Sequence, residues 1–233
     1  MSHPCGQAPV WRRVRIRACA TAAAAFFAAI AISPAAQSQS AIGQAVQSAP
    51  LVTGALGARR AAISTGSAVH QNETIQTSVE GRTLLQFQDS THLSVGPSAS
   101  VKLDRFVYNS DATARQAVMN MTRGAFRFAT GASDPGAFRL QTPHATIGIR
   151  GTILEINVRA SASQITLQQG SIIVCARNGR RGCATLTSSG QSITVGADGT
   201  LALNGDAFRG PDLLRQGLSG GDGGRGGDSG RNR

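Results

Sequence analysis

The stretch Thr142–Val158 reads TPHATIGIRGTILEINV, a run of alternating β-branched residues opened by a Pro and broken by two glycines. Alternation of this kind places Ala145, Ile147 and Ile149 on one face and Thr146, Gly148 and Arg150 on the other. Past the break, Ile153, Glu155 and Asn157 alternate with Leu154, Ile156 and Val158. The segment reads as a β-hairpin or a β-arch, with Gly148 and Gly151 leaving room for another backbone to approach.

The same period of two recurs on both sides of it. Thr83–Phe87, His92–Val95, Ser100–Leu103, Ala125–Phe128, Phe138–Leu140 and Ile165–Leu167 are short runs of Val, Ile, Leu, Thr and Phe, nearly all separated by turn residues. A helical period is not sustained anywhere. Ile42–Ser48 and Asp212–Leu218 are the best helix candidates, and the period over Ala112–Met121 is ambiguous. Glycine is abundant at 28 residues and aromatics make up only 4%, which suits closely stacked strands with small turns. The segment Leu93–Leu103 also matches Ile193–Leu203 as apolar-x-Val-Gly, a turn, then apolar-x-Leu, so both are expected to take the same local shape.

These motifs resemble the FecR domain, the periplasmic module of an iron-transport regulator family. Its closing strand pair is matched by Thr142, Pro143, Ala145, Gly151 and Thr152, and its earlier strands by His70–Leu103 and Thr122–Phe128. Asp89-Ser90 stands where the family has an Asp-Gly turn. The resemblance covers about residues 66–158. It implies an all-β fold of twisted, stacked β-sheets with solenoid-like architecture, and a non-enzymatic role. We expect a single β domain over 42–205, preceded by a signal peptide at 1–38 and followed by a short helix and a flexible Gly-rich tail at 206–233.

The N-terminus points to export independently of that likeness. Arg12, Arg13, Arg15 and Arg17 precede a fifteen-residue apolar run, Ala18–Ile32, and then small residues with cleavage positions between Ala35 and Ala41. That run is short for a permanent membrane span, which takes about twenty residues; an uncleaved anchor is the competing reading. Without the leader's four arginines, nineteen basic residues face twelve acidic ones, a balance of +7. The charge is spread along the chain and aromatics for base stacking are scarce, so nucleic acid is not an expected partner. Attraction to an anionic envelope polymer is the sharper reading of the charge, a cationic solvated surface the plainer one.

Two cysteines remain after the leader, Cys175 and Cys183, on either side of Asn178-Gly179 in a hairpin pattern. In an oxidising compartment they are expected to form a disulfide, worth roughly 2–3 kcal/mol for so small a loop. Arg177, Arg180 and Arg181 lie between them and mark a possible contact loop, or simply solvated turn charges. His70, His92 and His144 show no ligand spacing, and no metal or other cofactor is expected. A nucleophile elbow, a zinc-protease motif and a phosphate-cradling loop are all missing from the sequence. Glu155 is the most notable acid, since it alternates with apolar neighbours and could be partly buried; the plain reading is an outward residue on a two-sided strand beside Arg150 or Arg159. His144 reads as a turn residue, or as an exposed loop histidine sensitive to pH.

Two function classes follow. One is a binding or scaffold module, periplasmic or secreted, that holds an envelope protein by strand addition at a sheet edge, or an envelope polymer. The other is a periplasmic sensor or regulator of the iron-uptake type. The stretch before the apolar run, about seventeen residues, is too short for the family's cytoplasmic regulatory segment, so signalling would require a membrane partner.

Overall fold

A computed structural model describes residues 40–177 and 182–204. The expected leader, the 212–218 helix, the Gly-rich tail, Arg180 and Arg181 lie outside the described residues. Those residues form no helix; they make fifteen strands of one hydrogen-bonded sheet. In chain order these are β1 (Ala41–Ser48), β2 (Val52–Leu56), β3 (Arg59–Ala62), β4 (Ala68–His70) and β5 (Thr74–Thr77). Next come β6 (Thr83–Phe87), β7 (His92–Val95), β8 (Ser100–Tyr108), β9 (Ala114–Ala129) and β10 (Phe138–Gln141). The last five are β11 (Ala145–Val158), β12 (Ala162–Ala176), β13 (Cys183–Leu186), β14 (Ser192–Gly196) and β15 (Leu201–Asn204).

The sheet doubles over on itself, because its three longest strands each pass from one leaf to the other. The first leaf runs β4, β1, β6, β7, then residues 124–129 of β9, 153–158 of β11 and 162–169 of β12, then β14 and β15. The second runs β3, β2, β5, β8, then 114–123 of β9, β10, 145–150 of β11 and 171–176 of β12, then β13. Aromatic pairs bridge the leaves: Phe87 stacks on Phe106 with centroids 5.0 Å apart, and Phe128 meets Phe138 edge-on at 5.1 Å.

Each crossing changes which residues face the core. In β11, Ala145, Ile147 and Ile149 are buried before the crossing and Leu154, Ile156 and Val158 after it. β12 switches from Ile165 and Leu167 to Ile172 and Val174, and β9 from Met119 and Met121 to Phe126 and Phe128. At all three switches stands a glycine of positive φ: Gly124 at 100°, Gly151 at 57° and Gly170 at 88°. The ladder slips beside each, the signature of a bulge whose extra residue moves the strand on by one. A Cβ on Gly170 would lie 1.9 Å from the Gly151 carbonyl oxygen, so close approach as well as conformation demands glycine there.

One expectation is narrowed to one of its two alternatives and three change. The Thr142–Val158 stretch is not a hairpin in itself: its two halves lie in opposite leaves, as in an arch, and 145–150 pairs back to β10. Backbone crowding falls at Gly170, whereas a Cβ on Gly151 would meet nothing within 4 Å and one on Gly148 only the Ile173 carbonyl oxygen at 4.0 Å. Ile42–Ser48 is strand β1, not helix. The similar segments Leu93–Leu103 and Ile193–Leu203 take different shapes. β14 and β15 form a hairpin, while β7 and β8 do not pair with each other and lie end to end along β9.

Candidate functional site

Pro143 and His144 turn the chain from β10 into β11, and the turn is closed by side chains. Thr142 Oγ1 accepts the backbone N–H groups of His144 (3.2 Å) and Ala145 (2.9 Å), and the Ser163 hydroxyl donates to it across the core at 2.8 Å. Ser163 Oγ lies 2.9 Å from His144 Nδ1. Its proton is committed to Thr142, so the network assigns the imidazole proton to Nδ1, which donates to Ser163. His144 is only 8% exposed, not the exposed loop histidine of the pH-sensing alternative. Arg177 Nη1 donates to the Thr142 carbonyl at 3.2 Å, so this arginine holds the turn. Thr152, beside the crossing, donates its hydroxyl to the Ser171 carbonyl at 2.9 Å and its backbone N–H to Thr130 Oγ1 at 2.8 Å.

Cys175 and Cys183 sit directly opposite each other on β12 and β13 and are disulfide-bonded, with Cα atoms 4.1 Å apart. A bond of this kind persists in oxidising, extracytoplasmic compartments.

A second closed cluster surrounds Asp89. Its Oδ1 accepts the Thr91 N–H at 3.1 Å, and its Oδ2 accepts the hydroxyls of Thr91 (2.7 Å) and Ser133. Ser90, in the Asp-Gly-like turn, adopts a left-handed φ of 63°. Nearby, Tyr108 donates to the Ile42 carbonyl at 3.1 Å; burial, and then the charge of Asp89, push its phenol well above the usual range.

The outer face of the first leaf is built differently. Register places Ser94, Arg127, Glu155, Thr166 and Ser192 side by side on five adjacent strands, in one row across the sheet. Alternation turns all of them away from the core, since Leu93, Phe126, Leu154, Ile165 and Ile193 beside them point inward. Yet Ser94, Glu155, Thr166 and Ser192 are buried, none more than 4% exposed. Among the described residues Arg127 Nη1 bonds Glu155 Oε1 at 3.1 Å, a cation from the neighbouring strand β9. Ser94 Oγ, Arg127 Nε and Thr166 Oγ1 are buried without a hydrogen-bond partner.

Two other surfaces bear on binding. Strand β3 at the edge of the second leaf is exposed at all four residues, Arg59, Arg60, Ala61 and Ala62. On the outer face of the same leaf, Arg115 and Arg139 line a shallow groove with Val107 and Val118. Among the described residues no three His, Cys, Asp or Glu side chains gather as a metal site would require.

Residues 73–173 match the model of the FecR protein family, so the chain carries a FecR domain running from Glu73 into the second half of β12. The match starts later and reaches further than the resemblance over 66–158. Two crystal structures, at 1.65 and 2.50 Å, of a protein described as a "putative anti-sigma factor" from Parabacteroides distasonis ATCC 8503 align with 13% identity and a TM-score of 0.46. The alignments cover 63% of this chain and 64–65% of theirs. No curated protein matches the sequence.

Proposed function

We propose that this is an extracytoplasmic FecR-domain protein that binds a protein partner of the cell envelope and carries out no catalysis. The observation that carries the reading is the β3 edge. Its four residues are exposed along their whole length, and the two-residue loop at Gly57-Ala58 lifts it away as a hairpin. An open edge of this kind accepts another strand through main-chain hydrogen bonds, with Arg59 and Arg60 favouring an acidic partner. The Arg115–Arg139 groove supports another variant of the reading, attraction to an anionic envelope polymer.

The FecR match favours a second reading, a periplasmic component of a regulatory system acting through a membrane partner. Both readings place the protein outside the cytoplasm, with the leader removed and Arg177, Arg180 and Arg181 available as a further contact loop.

Affinity capture from an envelope fraction tests the edge. Ile63 N–H bonds the Val52 carbonyl, so by alternation the Ala62 N–H points outward. Ala62→Pro therefore removes one donor from the free edge without breaking the ladder to β2. Loss of the captured protein in Ala62→Pro, with the fold intact, supports strand addition. Unchanged capture sinks it, and capture of polysaccharide alone favours the groove.

A further inference from the structure

The two leaves carry very different charge. The strands of the first leaf hold one basic residue other than histidine and one acid, Arg127 and Glu155, and these are bonded to each other. The strands of the second hold eight Arg or Lys residues and a single acid, Asp104, which Lys102 engages at 3.0 Å. The loops joining β8, β9 and β10 add Asp111 and Asp134 and no cation. Four of the arginines, Arg105, Arg115, Arg139 and Arg150, are exposed on the neighbouring strands β8 to β11. Among the described residues none of these four makes an ion pair. Like charges gathered on one face repel one another, a cost that a bound anion removes.

The placement of the arginines selects the kind of anion. Arg105 and Arg139 both lie opposite Val118, one strand away on either side and about 10 Å from each other. Arg115 stands earlier on β9, and Arg150 lies just past Gly148, the partner of Arg139 on β11. From β8 to β11 is three strand spacings, about 14 Å, which is longer than one sugar or one lipid headgroup. The groove that Arg115 and Arg139 line has an aliphatic floor of Val107, Val118 and Ala137, with no aromatic ring for a base to stack on. A bilayer surface is flat and does not fill a groove, whereas a polymer chain does. A uronic-acid polymer carries one carboxylate on each sugar, separate charges that suit separate guanidinium forks.

We infer that this face of the second leaf binds an acidic polysaccharide of uronic-acid type, lying across β8–β11 with its carboxylates on Arg105, Arg139 and Arg150 and its sugar rings over Val107 and Val118. The inference rests on the anionic-polymer variant of the proposed function and is independent of the β3 edge.

Binding of the exported full chain to immobilised polygalacturonate tests it. The protein binds the polymer and does not bind the same polymer with its carboxyls methyl-esterified. Arg105→Gln with Arg139→Gln weakens binding by roughly tenfold or more. Arg59→Gln with Arg60→Gln removes the same charge from β3 and weakens it by less than about twofold. All four side chains are exposed, and a urea melt checks that each variant is folded. If the Arg105–Arg139 double variant does not fold, Arg150→Gln alone decides, with a loss of about threefold. No binding, binding that survives esterification, or equal loss from the two double variants overturns the inference, the last reducing it to net charge. Tighter binding to phosphatidylglycerol vesicles with the same arginine dependence overturns it in favour of a membrane surface. Arginine-dependent binding to polyphosphate and not to polygalacturonate overturns the uronate assignment while keeping an anionic polymer. Ala62→Pro leaves polygalacturonate binding unchanged, so the β3 edge and this face can each fail alone.

Discussion

Two sets of buried polar groups in this molecule follow opposite rules. Around Asp89, and again around Thr142, each buried oxygen or nitrogen described above is matched within a few residues or directly across the core. Along the outer row of the first leaf, among the described residues, Arg127 pairs with Glu155 while Ser94 Oγ, Arg127 Nε and Thr166 Oγ1 have no hydrogen-bond partner. Close-knit satisfaction marks groups that fix the shape of a turn; along the row, strand register lines polar groups up side by side without pairing all of them.

Breaking the satisfied side should cost most. Asp89→Ala strands the Thr91 N–H and the two hydroxyls that converge on the carboxylate, and is expected to lower unfolding free energy by about 3 kcal/mol in a urea melt. Arg127→Ala should cost about 2 kcal/mol, below the usual penalty for halving a buried pair, because the Arg127 side chain is 17% exposed and Glu155 makes other contacts. Ser163→Ala removes the link between Thr142 and His144 and should cost about 1 kcal/mol by the same melt. Thr166→Val, on the unsatisfied side, should leave stability within about 0.5 kcal/mol of the parent or raise it, since no bond is lost. A large loss there would mean that the row is bonded after all, and the contrast would collapse.

Alkaline pH sharpens the contrast from the Asp89 side. Burial and the nearby carboxylate raise the Tyr108 phenol in the folded state, so its contribution is fully present below the unfolded value near pH 10. It is lost progressively as pH rises above that value. The chain has one tyrosine, so phenolate absorbance in an alkaline titration reports this site alone. Ionisation in the folded protein at the ordinary pH would remove the effect, and Tyr108→Phe should flatten the alkaline slope of stability.

The sequence made individual strands legible wherever alternation ran uninterrupted. His92–Val95 is strand β7 to the residue, and Thr83–Phe87 is β6. It misled where bulges altered the period. In β1, Ile42 and Ala45 are both buried, three apart, and mimic a helical face because the register slips on either side of that pair. Ala112–Met121 was ambiguous beside a bulge near Tyr108, yet most of it is strand β9. Glu155 stood out by its polarity among apolar neighbours. Arg127 did not, because 28 residues separate the two and only the pairing of β9 with β11 brings them together. A row across five strands has no linear signature.

The glycine crossings bear on how the molecule would fail under load. β9, β11 and β12 are each woven through both leaves, so neither leaf can be peeled away while the other remains intact. Tension on one leaf travels along three continuous backbones into the other, and the expected rupture is a single event instead of two smaller ones.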